Sequence, residues 1–201
     1  NNCSGKHAGM IATCLALGFE VKGYSEYNHP LQKRLRKILS AISDFNFDQA
    51  RYGIDGCSIP TYPVSLNVIA RMMSALLPQR RDHEYIQRCE RIVRAVQKYP
   101  EFIAGTNGYC TKIIQATKGR ILAKTGAEGV YVALDPSRGQ IIALKAKDGQ
   151  TRASRAALLS LLLGNNWINQ DELLALSSIG FPPVKNWSGH IVGETKVEYL
   201  K

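Results

Sequence analysis

Residues 119–144 read GRILAKTGAEGVYVALDPSRGQIIAL, and this stretch decides the fold class. Upstream the apolar residues recur at helical spacing; here small and β-branched residues take over, which suit a pleated surface. Gly119 to Leu134 is expected to run as a strand broken at Gly126 and Gly129. Asp135-Pro136-Ser137-Arg138-Gly139 supplies a turn, and Ile141-Ile142-Ala143-Leu144 returns as a second strand. Helices surrounding an antiparallel hairpin predict an α+β fold, with residues 1–201 as a single domain.

Working outward, Met10, Ile11, Cys14, Leu15 and Gly18 recur at helical spacing, and the helix is expected to begin at the Ser4-Gly5-Lys6 turn. Pro30 suits the first position of a second helix, whose buried stripe is Leu31, Leu35, Ile38, Ile42 and Phe45. Residues 51–63 change character and read as a loop. A third helix follows, with Val68, Ile69, Met72, Met73 and Leu76 inward and Pro78 closing it. A fourth spans about Asp82 to Tyr99, with Ile86, Cys89, Val93 and Val96 on one face. Short helical stretches at Thr111–Thr117, Ser154–Leu163 and Gln170–Ser178 complete the reading.

A chain of 201 residues with 45% apolar and 21% charged residues is long enough for a core and balanced like a globular protein. No apolar run approaches the roughly 18 residues a bilayer-spanning helix needs, so no membrane association is expected. The net charge of +10 favours phosphates or acidic surfaces. Its densest cluster, Lys33-Arg34-Leu35-Arg36-Lys37, lies inside a helical pattern and reads as a solvated face, without a nucleic-acid module around it. The alternative is a basic nucleic-acid-binding protein. The cysteines (Cys3, Cys14, Cys57, Cys89, Cys110) show no close ligand spacing and no secretory leader precedes them, so they read as reduced, in the cytoplasm.

Four places have residue types suited to chemistry. Ser4, at a helix start beside Gly5, is either a nucleophile facing the helix dipole or a helix cap. A serine nucleophile needs a base, and a lysine lowered by desolvation serves. Lys124-Thr125-Gly126 on a strand is similar to a mark of serine β-lactamases and penicillin-binding proteins, where the lysine steers a carboxylate; an exposed lysine before a kink explains it equally. Cys57 and Cys110 are either a metal-binding pair or buried thiols. Lys185, after Pro182-Pro183 and before Trp187, is either a base in a stiff, partly apolar place or a surface lysine. The chain contains no Ser-x-x-Lys.

Together, Asn-Asn-Cys-Ser-Gly-Lys-His-Ala-Gly-Met at 1–10, Asp-Gly-Cys-Ser-Ile-Pro at 55–60, Lys-Thr-Gly-Ala-Glu-Gly-Val-Tyr at 124–131 and the Lys185-Asn186-Trp187 region resemble the rhizobial-type asparaginase II family. The resemblance implies a fold like that of serine β-lactamases and glutaminases, and hydrolysis of L-asparagine to L-aspartate and ammonia. It implies two serine–lysine pairs. One maps onto Ser4 and Lys185; the other, a Ser-x-x-Lys motif, is expected before Asn1, so the chain reads as amino-terminally truncated. Lys124 and Glu128 are expected to bind the substrate's charged end. Family members can hold zinc through two cysteines and a lysine, which implies Cys57 and Cys110; Pro60 stands where the lysine is expected, three residues after the first cysteine. Homodimerisation is implied by fold analogy alone. A glutaminase or a β-lactam-interacting serine hydrolase is the alternative within the same fold.

Overall fold

The computed structural model describes residues 2–80 and 86–198. The chain packs as two compact units, Asn1–Ala75 and Leu76–Lys201. Both mix helices with short antiparallel sheets, so the fold class is α+β.

The first unit holds α1 (Asn2–Leu17), α2 (Pro30–Ser43), β1 (Gly53–Ile54), β2 (Pro60–Thr61) and α3 (Leu66–Ser74). Pro30 stands at the start of α2 as expected, and His29 caps the helix by accepting the Leu31 N–H at 3.1 Å. Ser65 caps α3 through the Val68 N–H at 3.3 Å. Met10, Cys14, Leu31 and Ile59 form this unit's core, with Phe19, Val21, Tyr24 and Leu35 packed around them. Within the basic run of α2, Lys33, Arg34 and Lys37 are exposed, but Arg36 is only 4% exposed. The expectation of a purely solvated cluster fails at that residue because Asp48, 2.6 Å away, and the Tyr27 carbonyl, 2.8 Å away, take its hydrogen bonds.

The second unit begins with α4 (Ile86–Lys98), α5 (Glu101–Ala104) and α6 (Tyr109–Ala116). The first expected residues of the fourth helix, 82–85, lie outside the described residues. Then come β3 (Leu122–Thr125), β4 (Val130–Asp135), β5 (Gln140–Lys145), α7 (Thr151–Gly164), α8 (Gln170–Gly180), β6 (Val184–Lys185) and β7 (Ile191–Gly193). β4 is central in an antiparallel β3-β4-β5 sheet, pairing Ala123 with Ala133 and Tyr131 with Leu144.

The single interrupted strand expected over Gly119–Leu134 is two strands. Glu128 (φ 56°) and Gly129 (φ 69°) are both left-handed, which reverses the chain, and the Gly126 N–H closes the turn on the Val130 carbonyl at 2.8 Å. Tyr109, Ile113, Ile121, Ala133, Leu158, Leu162 and Leu176 belong to the core between the sheet and helices α6, α7 and α8. At about 25 cal/mol per Å² of apolar surface, each such leucine contributes roughly 2 kcal/mol when buried.

Two features lock the second unit. Asp135, wholly buried, accepts the Ser137 and Arg138 N–H groups at 3.0 and 3.2 Å, and Arg120 and Arg138 approach its carboxylate at 3.6 and 3.4 Å. Arg120 also reaches Glu172 at 2.9 Å, and Glu172 completes a capping box with Asn169 at the start of α8. At the other end of α8, a Cβ on Gly180 would stand 2.3 Å from Leu159 Cδ2 and 3.0 Å from the Tyr109 hydroxyl oxygen. A Cβ there requires the end of the Leu159 side chain to turn away. Among the described residues no helix is long and apolar enough to cross a membrane.

Candidate functional site

The chemistry-bearing residues of the first unit gather at the start of α1 and the β1–β2 turn. α1 already includes Ser4, so the serine is helical instead of in a turn before the helix, and it is exposed. Lys6, also in α1, directs its amine to Asp55 Oδ2 at 3.4 Å. His7 Nδ1 meets the Tyr24 hydroxyl at 2.6 Å, and the two rings are edge-on.

Asp55 organises the turn that faces α1. Its Oδ1 accepts the Cys57 N–H at 2.8 Å and the Ile59 N–H at 3.2 Å, while Ser58 adopts a left-handed φ of 67°. Burial alone would raise the Asp55 pKa. The Ile59 and Cys57 N–H groups and the Lys6 charge outweigh it and hold the carboxyl below its ordinary value. The same turn brings the Cα atoms of Cys57 and Cys3 to 6.3 Å, within disulfide reach, and the two are bridged. The reading of all the cysteines as reduced is corrected to one bridge, with Cys14, Cys89 and Cys110 free.

Cys57 is therefore paired with Cys3, whereas Cys110 is a buried free thiol on α6 of the second unit. In the first unit the neighbour of Cys57 is Cys3, which shares α1 with Lys6. Lys6 follows Cys3 by three residues, the cysteine–lysine spacing that Pro60 breaks when it is counted from Cys57. That spacing was readable in the sequence, but the pairing of Cys3 with Cys57 needed the turn. Among the described residues no cluster of three or more His, Cys, Asp or Glu side chains could hold a metal ion.

In the second unit, Lys124 and Cys110 belong to one neighbourhood. Lys124, on β3, is half-buried, and its amine donates to the Thr125 carbonyl at 2.5 Å. Burial pulls its pKa below the ordinary lysine value, opposed in part by Cys110. Burial pushes the Cys110 thiol up, while hydrogen bonds from the Thr125 backbone and Tyr131 act the other way. The Tyr131 phenol is pushed up to about 12 by burial. Glu128 is exposed in the left-handed turn between β3 and β4.

Lys185 sits elsewhere in this unit, on β6, and is exposed. Its hairpin tip closes through the Asn186 and Gly189 amides, and Trp187 at the tip is fully exposed. The stiff, partly apolar environment expected for Lys185 is absent because the double proline leads into a solvated hairpin rather than into the core. The structure thus joins Lys6 with Asp55 and Lys124 with Cys110, neither of which the sequence reading paired.

No curated protein matches the chain. The family profile for L-asparaginase II matches residues 1–197 of the 201, which spans both units and every segment described above. The chain belongs to the L-asparaginase II family.

Proposed function

We propose that the chain is an amidohydrolase acting on L-asparagine, releasing L-aspartate and ammonia through an acyl-enzyme. The observation that carries this reading is the family match across nearly the whole chain. Ser4 is assigned as the reacting hydroxyl or its proton relay. In the first role its Oγ bonds to the side-chain amide carbon and its proton passes to a lysine amine. The carbon–nitrogen bond then breaks, the nitrogen takes that proton and leaves as ammonia, and water cleaves the ester to free aspartate and Ser4. First-turn amides of α1 suit the negative oxygen that forms on the way.

The lysine base has two candidates. Lys185 is the one the resemblance implies, but it is exposed on its hairpin. Lys124 is half-buried with a lowered pKa, the environment that keeps an amine ready to accept a proton. Lys124 is therefore the lysine to test first as a base, and Glu128 is retained as the group for the substrate's ammonium. For the zinc implied by the resemblance, the fitting donors are Cys3, Cys57 and Lys6, in place of Cys57 with Cys110; the two sulfurs must first be reduced. Bound there, zinc would supply positive charge for a substrate carboxylate or amide oxygen.

The test is ammonia release by the whole reading frame from L-asparagine and from L-glutamine. Release from asparagine that Ser4→Ala abolishes supports the reading. Full activity in Ser4→Ala removes Ser4 from the chemistry, and preferential release from glutamine changes the substrate.

A further inference from the structure

The Lys124 amine rests on the end of an edge strand. β3 lies at the edge of its sheet, and the Gly126 N–H takes the Val130 carbonyl at 2.8 Å. The next pair, Thr125 with Tyr131, is therefore of the non-hydrogen-bonded kind. The Thr125 N–H and carbonyl point off the sheet, while its side chain meets that of Tyr131. Two side chains take those outward groups. The Cys110 sulfur accepts the Thr125 N–H, and the Lys124 amine donates to the Thr125 carbonyl at 2.5 Å.

One hydroxyl ties this arrangement to the core. Tyr131 is 1% exposed, and its hydroxyl has Cys110, Thr125 and Arg155 as side-chain hydrogen-bond partners. Those three residues come from α6, β3 and α7. Burial pushes the phenol up to about 12, so it keeps its proton at neutral pH and can donate. Tyr109 holds the Tyr131 ring edge-on at 5.9 Å and donates its own hydroxyl to the Arg155 carbonyl at 3.3 Å. The Arg155 guanidinium lies 5.7 Å over the Tyr109 ring. A hydroxyl buried this deeply costs stability unless it is paired. This one is paired both with Thr125 and with the thiol that holds the Thr125 N–H.

We propose that Tyr131 is a positioning residue for Lys124: through Cys110 and Thr125 its hydroxyl fixes the peptide against which the lysine amine lies. Its catalytic consequence rests on the reading of Lys124 as a base; the placement does not. With the hydroxyl gone, the sulfur and Thr125 are free to shift. The amine then moves from its half-buried rest toward water, where the ordinary lysine pKa of about 10.4 applies.

The test is Tyr131→Phe in the whole chain, read in two ways. Acetic anhydride labels neutral amines, so mass spectrometry of the Lys124 peptide across pH gives a titration midpoint that needs no activity. That midpoint is expected below the ordinary lysine value in the parent and closer to it in the variant. In ammonia release from asparagine, kcat should fall about tenfold with KM within about twofold, the pattern of a contact made only in the transition state. Thr125→Val removes the hydroxyl that meets Tyr131 and keeps the side chain's size. It should move the midpoint the same way, and it carries the test if Tyr131→Phe does not fold. An unchanged midpoint in the folded variants overturns the proposal, whatever their stability. A midpoint that moves while ammonia release is unchanged, or is absent even in the parent, upholds the placement and counts against Lys124 as the base instead.

Discussion

In the first unit, Ser4, Lys6 and Asp55 stand at or near the surface and are placed by polar tethers, a helix start, an ion pair and a disulfide. In the second, Lys124 and Cys110 are placed by burial, on a strand and a helix that share one apolar core. The difference teaches how each lysine is tuned. Lys6 is tethered to a carboxylate at 3.4 Å, whereas Lys124 loses water and its pKa falls below the ordinary lysine value. The two lysines are thus held in opposite ways, one by an ion pair near the surface and one by burial.

The contrast breaks most sharply at Lys124. Lys124→Met is expected to lower kcat/KM for asparagine by about 10²–10⁴-fold, the usual worth of a general base. Lys185→Met should change it by less than about threefold, a small fraction of that range. The parent enzyme's rate should rise with pH along a limb lying below the ordinary lysine pKa of about 10.4. That limb should vanish in Lys124→Met; equal losses in the two variants would return the base to Lys185.

Burial as the organising force of the second unit is checked by Leu158→Ala, expected to cost about 2–5 kcal/mol in urea unfolding. A loss below about 1 kcal/mol would mean the core collapses around the gap and is not what fixes β3. In the first unit the comparable test is reduction of Cys3–Cys57. The bridge closes a segment with a sequence separation of 54, so dithiothreitol or Cys3→Ser should lower stability by about 2–4 kcal/mol. No change would assign the placement of the Asp55 turn to its hydrogen bonds alone.

The smallest effect belongs to the Lys6–Asp55 pair. Asp55→Asn keeps an oxygen for the turn amides and removes the charge, so about 0.2–1 kcal/mol should be lost. The folded pKa of Asp55 is depressed, so its contribution is present above the unfolded value of about 3.9 and lost as pH falls through the folded one. The variant should therefore flatten the acid limb of the stability profile, and an unchanged limb would show that the Asp55 charge, with its turn amides and Lys6, adds nothing to stability.

Much of this was legible in the chain. Pro30, the Gln170–Ser178 helix and the return strand at Ile141–Leu144 carry local signals, cap, period and turn, that act within a few residues. The reversal at Glu128-Gly129 was missed because its glycines read as breaks in one strand, and a left-handed glutamate has no signature. The unit boundary at Ala75 and Leu76 lacks a linker composition. Site residues were legible as types and not as partners. Cys3 meets Cys57 only through a turn built by Asp55, and the burial that separates Lys124 from Lys185 depends on which strand reaches the core.

Gly180 has a consequence for how this family tolerates change. The helix that ends there takes a carbon beyond the backbone only if Leu159 turns away, since Leu159 and the Tyr109 hydroxyl already occupy that space. A saturation library selected for soluble expression should show a narrow column at 180, with large residues depleted and alanine the best tolerated substitute. Sequence divergence in α8 is then free along its outward face and closed at one point. A drifting lineage could cross that point only with a compensating smaller residue at 159, so the two positions are expected to change together.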